Sequence, residues 1–116
     1  LFESMTKLME RFSPDEVAFE ELFFYNNAKT AIDVAQARGV CVMAAYRQNK
    51  HIFEYTPLQV KQAVTGYGRA EKRQVQMMVK TILNLQAIPK PDDAADAVAV
   101  AICHAQTANY RNARKY

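Results

Sequence analysis

A run of aspartates directly before an apolar helical segment is the feature that most constrains this chain. Pro91 is followed by three aspartates within five residues, and the sequence continues as the alanine- and valine-rich segment 97–108. Proline and aspartate both favour the first turn of a helix, where the helix dipole is positive. We therefore predict that a helix begins at this acidic run. Since Asp96 is followed at once by small apolar residues, the helix should bury one face.

The same aspartates are candidate metal ligands. Asp93 and Asp96 are three residues apart, so both would lie on one face of the helix. Two carboxylates held this close repel each other unless a positive group lies between them, and a metal ion is one such group. The alternative is that the aspartates only cap the helix. Spacing alone leaves both explanations open.

Two short strands and several helices are predicted for the rest of the chain. Residues 17–19 and 52–56 carry aromatic and β-branched side chains, which favour strands. Apolar spacing and helix-start signals predict helices over residues 1–12 and 28–46, and further helices beginning near residues 57, 70 and 91. The side chains expected to be buried on the helices near 57 and 70 are Leu58, Val60, Ala63 and Val64, and Val75, Met78, Val79, Ile82 and Leu83.

Further candidate functional residues follow the first strand. Glu20 and Glu21 come at its end, where a surface turn or a metal or acid-base site at the carboxyl edge of a sheet would explain them. The aromatic run 23–25 cannot be buried entirely, and an exposed ring there could stack on a nucleobase. The small-residue stripe along residues 28–46 fits either core packing or a dimer interface.

Basic residues are concentrated in the second part of the chain. Residues 34–116 carry five acids and twelve bases, within a net charge of +3. Lys72 and Arg73 follow a turn with two glycines and stand in the first turn of a predicted helix, a combination suited to anion binding. A basic surface of this kind meets phosphates, although solvated helix faces are often basic as well.

The remaining residue types exclude several kinds of site. We expect Cys41 and Cys103 to be buried free thiols, since neither belongs to a closely spaced pair. His51 is expected to be solvated, and His104 to be either a structural residue or one that orients a water or phosphate. There is no apolar run of the roughly 18 residues that a membrane span needs and no signal peptide, so we expect a soluble, intracellular domain.

Five motifs, in order and spacing, resemble the RuvC-type Holliday junction resolvases. They extend from about residue 17 to residue 104. The motifs are Ala18-Phe19-Glu20-Glu21-Leu22-Phe23, Ala35-Gln36-Ala37-Arg38-Gly39-Val40, Phe53-Glu54-Tyr55 with Gln59-Val60-Lys61-Gln62, Gly66-Tyr67-Gly68-Arg69-Ala70-Glu71-Lys72 with Gln74-Val75-Gln76, and Asp93-Ala94-Ala95-Asp96-Ala97.

The resemblance implies an α/β, RNase H-like nuclease that resolves four-way DNA junctions in recombination and repair. Its carboxylates would hold two divalent ions, Mg²⁺ or Mn²⁺, and by motif position these catalytic ligands are Glu20, Asp93 and Asp96. The DNA-binding residues expected from the motifs and the basic surface are Phe23 at the junction centre, Lys61 and Lys72 near the scissile phosphate, and Arg69 and Arg73. The resemblance also implies a cytoplasmic homodimer built on residues 28–46 that works with the RuvA and RuvB branch-migration proteins.

The chain departs from the resembled pattern at its start. Members of the family begin with a strand carrying Gly-Ile-Asp-x-Gly, whose aspartate is a central metal ligand, and no such motif precedes Leu1. We therefore expect a single truncated, helix-rich domain over residues 1–116 that lacks the first three strands and ends in a flexible basic tail at 109–116. Such a fragment is expected not to cleave DNA alone, because its two-ion geometry would be incomplete.

Two other functions remain open from the sequence. In one, the chain is a non-catalytic DNA-binding module whose carboxylates only cap helices. In the other, it is a structural helical dimer.

Overall fold

The computed structural model describes residues 1–21 and 28–114, with side chains described for residues 1–21 and 30–108. In these ranges five helices accompany a two-stranded sheet in which β1 pairs with β2, so the predicted α/β class is confirmed. The elements in chain order are α1 (Phe2–Phe12), β1 (Glu16–Glu20), α2 (Ala28–Arg47), β2 (His51–Tyr55), α3 (Pro57–Thr65), α4 (Lys72–Ile82) and α5 (Asp92–Arg114).

The chain divides into two compact units, residues 1–54 and residues 55–116. In the first unit α1 packs against α2, and the buried cluster consists of Met9, Ala44 and Ala45. Helix α1 ends at Ser13, whose left-handed backbone (φ 45°) lets its amide donate a hydrogen bond to the Met9 carbonyl at 2.8 Å. Pro14 follows and cannot continue the helix, so the end predicted at residue 12 is confirmed.

Helix α2 exposes most of the predicted small-residue stripe. Ile32, Met43 and Tyr46 are exposed, Tyr46 at 70% of its surface, and Ala35 and Gly39 are exposed as well. Core packing is therefore the wrong explanation for most of this stripe. The residues of α2 that are buried in the described part of the chain, Ala44 and Ala45, lie close to its carboxyl end.

In the second unit α3, α4 and α5 each contact the other two helices. Valines from all three fill the core: Val60 and Val64 from α3, Val75 and Val79 from α4, and Val100 from α5. The expectation that the helix after the acidic run buries one face is confirmed. Cys103 also lies in this core, as predicted, whereas Cys41 in the first unit is only half-buried and not buried as expected.

Local signals set the helix ends of the second unit. The Thr56 hydroxyl accepts a hydrogen bond from the Gln59 amide at 3.1 Å, and the Gln59 side chain accepts one from the Thr56 amide at 2.8 Å. This reciprocal cap, with Pro57 in the first turn, starts α3. Helix α3 ends at Gly66, which adopts the left-handed conformation (φ 81°) that glycine tolerates best.

Three predicted core residues are exposed. Ile82 and Leu83 lie at the carboxyl end of α4, beyond the two valines through which that helix reaches the core. Leu58 is 57% exposed, and its side chain lies over Gly68, where an added Cβ would come within 2.5 Å of the Leu58 Cδ1 atom. These expectations were wrong because periodicity shows which residues share a helix face, not where the neighbouring helices end.

Helix α5 continues to Arg114, and residues 115–116 lie outside the described part of the chain. The flexible tail at 109–116 remains a prediction. Within the described residues, none of the helices is long and apolar enough to cross a membrane.

Candidate functional site

The acidic run forms the first turn of α5. Asp92 and Asp93 both lie in that turn, and the Ala94 amide donates a hydrogen bond to the Pro91 carbonyl at 2.9 Å. Proline and aspartate at this position are compatible with the positive end of the helix dipole. The predicted helix start is therefore confirmed.

Lys72, the first residue of α4, reaches two of these carboxylates. Its Nζ atom lies 3.5 Å from Asp96 Oδ2 and 3.6 Å from Asp92 Oδ2. One turn further along α4, the Gln76 amide donates a hydrogen bond to Asp92 Oδ1 at 3.3 Å. The beginnings of α4 and α5 therefore meet through a small polar cluster, which we call the Lys72 cluster (Lys72, Gln76, Asp92 and Asp96).

The electrostatics of the Lys72 cluster favour the charged ammonium. Asp96 raises the pKa of Lys72, desolvation lowers it, and Asp92 adds a second favourable charge, with a net shift upward. The three charged side chains are each well exposed to solvent. Exposed ion pairs contribute little to folding because water and salt screen them, so this cluster positions charge more than it stabilises the fold.

The cluster refines the sequence prediction about the aspartates. A positive group does lie between two of them, as their repulsion required, but it joins Asp92 to Asp96 and not Asp93 to Asp96. Asp93 is exposed, and among the described residues it makes no ion pair or hydrogen bond. Sequence reasoning missed Gln76 and the role of Asp92. The signal was available in part, since Lys72 and Gln76 stand four apart and share one face of α4.

The third predicted ligand, Glu20, is half-buried at the end of β1 in the first unit, whereas Asp93 and Asp96 belong to the second unit. The structure forms no group of three or more His, Cys, Asp or Glu side chains suited to a metal ion among the residues it describes. The three-carboxylate site therefore stays a prediction.

Four of the five predicted DNA-binding residues lie in the second unit. Lys61 is half-buried on α3, Arg69 is exposed in the turn before α4, and Lys72 and Arg73 are exposed in the first turn of α4. Phe23 lies outside the described residues.

Two further polar contacts were not predicted in detail. Tyr55 and the Nδ1 atom of His104 share a hydrogen bond of 2.5 Å between the start of the second unit and α5, which confirms the structural reading of His104. In the first unit Arg38 forms an ion pair of 2.5 Å with Glu54 and lies over the Phe19 ring. His51 is exposed, as expected.

Comparison with known proteins identifies the family. The family model described as crossover junction endodeoxyribonuclease RuvC matches residues 1–104. The chain is 60% identical over 110 residues to the RuvC of Alkaliphilus oremlandii, covering 95% of this chain and 67% of the relative. It is 64% identical over 104 residues to the RuvC of Ruminiclostridium cellulolyticum, covering 90% of this chain and 63% of the relative.

Solved structures agree. A structure of Thermus thermophilus RuvC superposes with a TM-score of 0.86 at 39% identity, covering 94% of this chain and 66% of that one. A second T. thermophilus RuvC structure, in complex with a Holliday junction substrate, superposes with a TM-score of 0.87 at 40% identity, covering 92% of this chain and 65% of that one. The chain thus spans about two thirds of the length of the proteins it matches. With most of its residues covered at this level of identity, the chain belongs to the RuvC family of crossover junction endodeoxyribonucleases, and its fold is the RNase H-like fold of that family.

Proposed function

We propose that the protein to which this chain belongs is a structure-selective endonuclease that resolves four-way DNA junctions by metal-dependent hydrolysis of phosphodiester bonds. The observation that carries the proposal is the family match across residues 1–104. The relative that was solved with a Holliday junction substrate supports the choice of DNA, because it shares both the fold and 40% of the aligned sequence.

The residues of the α5 start fit Mg²⁺ or Mn²⁺ in chemical type. Both ions prefer oxygen ligands, and Mg²⁺ is often held by only one or two carboxylates together with water and substrate phosphate. Asp93 and Asp96 would supply those carboxylates, with Glu20 as the third ligand expected from the motif order. The ions, two per site in the intact family, would activate water and neutralise charge on the cleaved phosphodiester.

The chain's own cations would position the DNA. Arg69 and Arg73 are exposed close to the start of α4, where they can contact backbone phosphates without reading sequence. Lys61 and Lys72 are proposed to lie nearer the cleaved phosphate. Lys72 contacts Asp96, so it couples a phosphate-binding charge to a proposed metal ligand.

We further propose that α2 is the homodimer interface. Its exposed apolar residues, Ile32, Met43 and Tyr46 among them, form the stripe expected at such an interface. A two-fold dimer suits a four-way junction because two sites can then cut two symmetry-related strands. Cooperation with the RuvA and RuvB proteins and a cytoplasmic location follow from the same proposed role.

One observation favours the alternative of a non-catalytic DNA-binding module. The single positive charge of Lys72 lies near the carboxylates of both Asp92 and Asp96 and offsets part of their repulsion without a metal ion. Calorimetry with Mn²⁺ separates the two functions. Heat from the native chain that disappears in Asp93→Asn and Asp96→Asn supports a metal site, with Asp33→Asn, an exposed aspartate on α2, as the matched control. Absence of heat from the native chain supports the module.

Junction binding and cleavage are tested with a labelled synthetic four-way junction and a linear duplex of the same sequence. We expect the chain to bind the junction in preference to the duplex, with affinity that falls as salt rises. Equal affinity for both DNAs, or none at low salt, would contradict the proposal. Cleavage is measured in the same reactions with Mg²⁺ or Mn²⁺, which also tests the expectation that this chain does not cleave by itself.

A further inference from the structure

A pocket of about 400 Å³ lies beside the start of α4 in the second unit. This volume is in the range of pockets that bind small ligands or the anchoring side chains of a partner. The lining residues that matter here are Tyr67, Ala70, Arg73, Gln74, Met77 and Met78.

Most of the pocket wall is apolar and adaptable. Tyr67 is 57% exposed and Met77 is 44% exposed, while Ala70 is buried. Two neighbouring methionines provide flexible, polarisable side chains that adjust to different apolar groups. Large apolar side chains left open around a concave site are typical of an interaction surface.

Two polar side-chain groups of the wall, the Thr65 hydroxyl and the Gln74 side-chain oxygen, are used inside the chain. The Thr65 hydroxyl donates to the Lys61 carbonyl at 2.7 Å and accepts from the Tyr67 amide at 3.0 Å. The Gln74 side-chain Oε1 atom accepts from the Glu71 backbone amide at 2.8 Å. The Arg73 guanidinium, by contrast, makes no ion pair or hydrogen bond within the described part of the chain. The pocket therefore offers one unpaired cation in mainly apolar surroundings.

This pattern discriminates between possible occupants. A nucleobase carries several donors and acceptors around its edge, and burying them against methionine and alanine would leave most of them unpaired, which is costly. An apolar side chain next to one carboxylate fits this wall better. The apolar side chain can pack against the methionines, and the carboxylate can form two parallel hydrogen bonds with the Arg73 guanidinium.

We propose that this pocket docks a segment of a partner protein, which inserts an apolar side chain among Tyr67, Met77 and Met78 and places a carboxylate on Arg73. The site is separate from the carboxylates of the proposed nuclease site and does not depend on their function. The segment is an acidic amphipathic peptide, of the kind that binds grooves through one or two apolar anchors.

The test uses NMR of methionine methyl groups labelled with ¹³C in the 116-residue chain. The probes are short synthetic peptides with one leucine or phenylalanine and a glutamate at different spacings from it, each paired with a peptide in which glutamine replaces the glutamate. We expect glutamate peptides to shift the Met77 and Met78 methyl signals and to leave Met5, Met9 and Met43, which lie in the first unit, unchanged.

The contact between the peptide carboxylate and Arg73 is tested by removing either partner and measuring how much peptide binding weakens. Glutamine peptides should bind about tenfold more weakly, and Arg73→Gln should reduce the affinity for glutamate peptides by a similar factor, since a charge-assisted hydrogen bond is lost. Lys80→Gln removes the same charge from α4 outside the pocket and should have little effect. Because Arg73 is also a proposed phosphate contact, Met77→Glu provides a second variant: it should abolish peptide binding while junction binding remains.

Three outcomes would overturn the proposal. The first is that no peptide moves the two methyl signals. The second is that glutamate and glutamine peptides bind equally well. The third is that a single-stranded oligonucleotide shifts Met77 and Met78 at lower concentration than any peptide, which would identify the occupant as a nucleobase. Loss of junction binding by the native chain would instead count against the proposed function alone.

Discussion

Among the residues whose side chains the structure describes, the two units differ in how many apolar side chains each one buries. In the first unit the buried cluster is Met9, Ala44 and Ala45, while α2 leaves Ile32 and Tyr46 exposed. In the second unit three helices contact one another and each contributes valines to a common core. Three mutually packed helices can cover each other's apolar faces, whereas in the described part of the first unit α1 and the two strands leave much of the twenty-residue α2 exposed.

The two units are therefore suited to different tasks, the second to positioning charged groups and the first to association. The side chains of the Lys72 cluster stand on the well-packed unit: Asp96 follows buried Ala95, and Lys72 precedes buried Val75 on the same helix. A rigid core of this kind holds charged groups at fixed distances. The first unit instead presents apolar surface, which suits association.

The largest effect is expected on stability, from a substitution in the core of the second unit. Val79 is 0% exposed, so Val79→Asp would bury a charge without a partner and should lower the free energy of unfolding by roughly 4 kcal/mol or more. Met77→Asp places the same charge at an exposed position two residues away and should cost less than about 1 kcal/mol. Denaturant unfolding of both variants measures the difference. A similar loss in both would show that this core is not closed.

An intermediate effect is expected on the α2 face. Tyr46→Glu should weaken self-association by at least about tenfold, because a charge replaces an apolar contact at the proposed interface. Its unfolding free energy should change little, since Tyr46 is exposed. Ile82→Glu changes an exposed apolar residue of the second unit and serves as the control. Self-association is measured by sedimentation velocity. If Tyr46→Glu and Ile82→Glu weaken it equally, α2 is not the specific interface.

The smallest effect concerns the pH dependence of the second unit. Burial raises the pKa of the Cys103 thiol, an effect that Thr107 partly opposes. The thiol therefore ionises at lower pH in the unfolded chain than in the folded one. The stability that depends on the neutral thiol is complete below the unfolded pKa and is lost as the pH rises through the folded pKa.

Cys103→Ala should consequently lose stability less steeply than the native chain in alkaline solution. The difference in slope cannot exceed about 1.4 kcal/mol per pH unit, the value for one proton. Cys41→Ala, which leaves Cys103 in place, is the matched variant, and urea midpoints at several alkaline pH values provide the measurement. Identical slopes for Cys103→Ala and the native chain would disprove the effect.

Signals contained in a few neighbouring residues predicted the elements well. Ser13 with Pro14 ends α1, and Thr56 with Pro57 starts α3, because capping hydrogen bonds and proline geometry act over three or four residues. The family motifs also identified the fold, which composition and spacing could not have done.

Contacts between distant residues were not predictable in this way. Lys72 and Asp96 are far apart in sequence, and only the packing of α4 on α5 brings them together. The contact of the Leu58 side chain with Gly68 likewise joins a helix to a separate turn. Periodicity assigned α2 correctly as a helix, but it could not tell a face that packs inside one chain from a face that remains open.

The open face of α2 also has a defined length. Ile32 and Tyr46 are separated by fourteen residues, which at 1.5 Å of rise per residue corresponds to about 21 Å along the helix axis. Gly39 lies midway, and a Cβ added there would meet no atom within 4 Å. A second helix laid along this face could therefore approach most closely at its middle, with bulky side chains at either end limiting how far it tilts. The sequence of α2 would in this way set the angle at which the α2 helices of two copies cross. That angle would in turn set the distance between the proposed nuclease sites of the two copies.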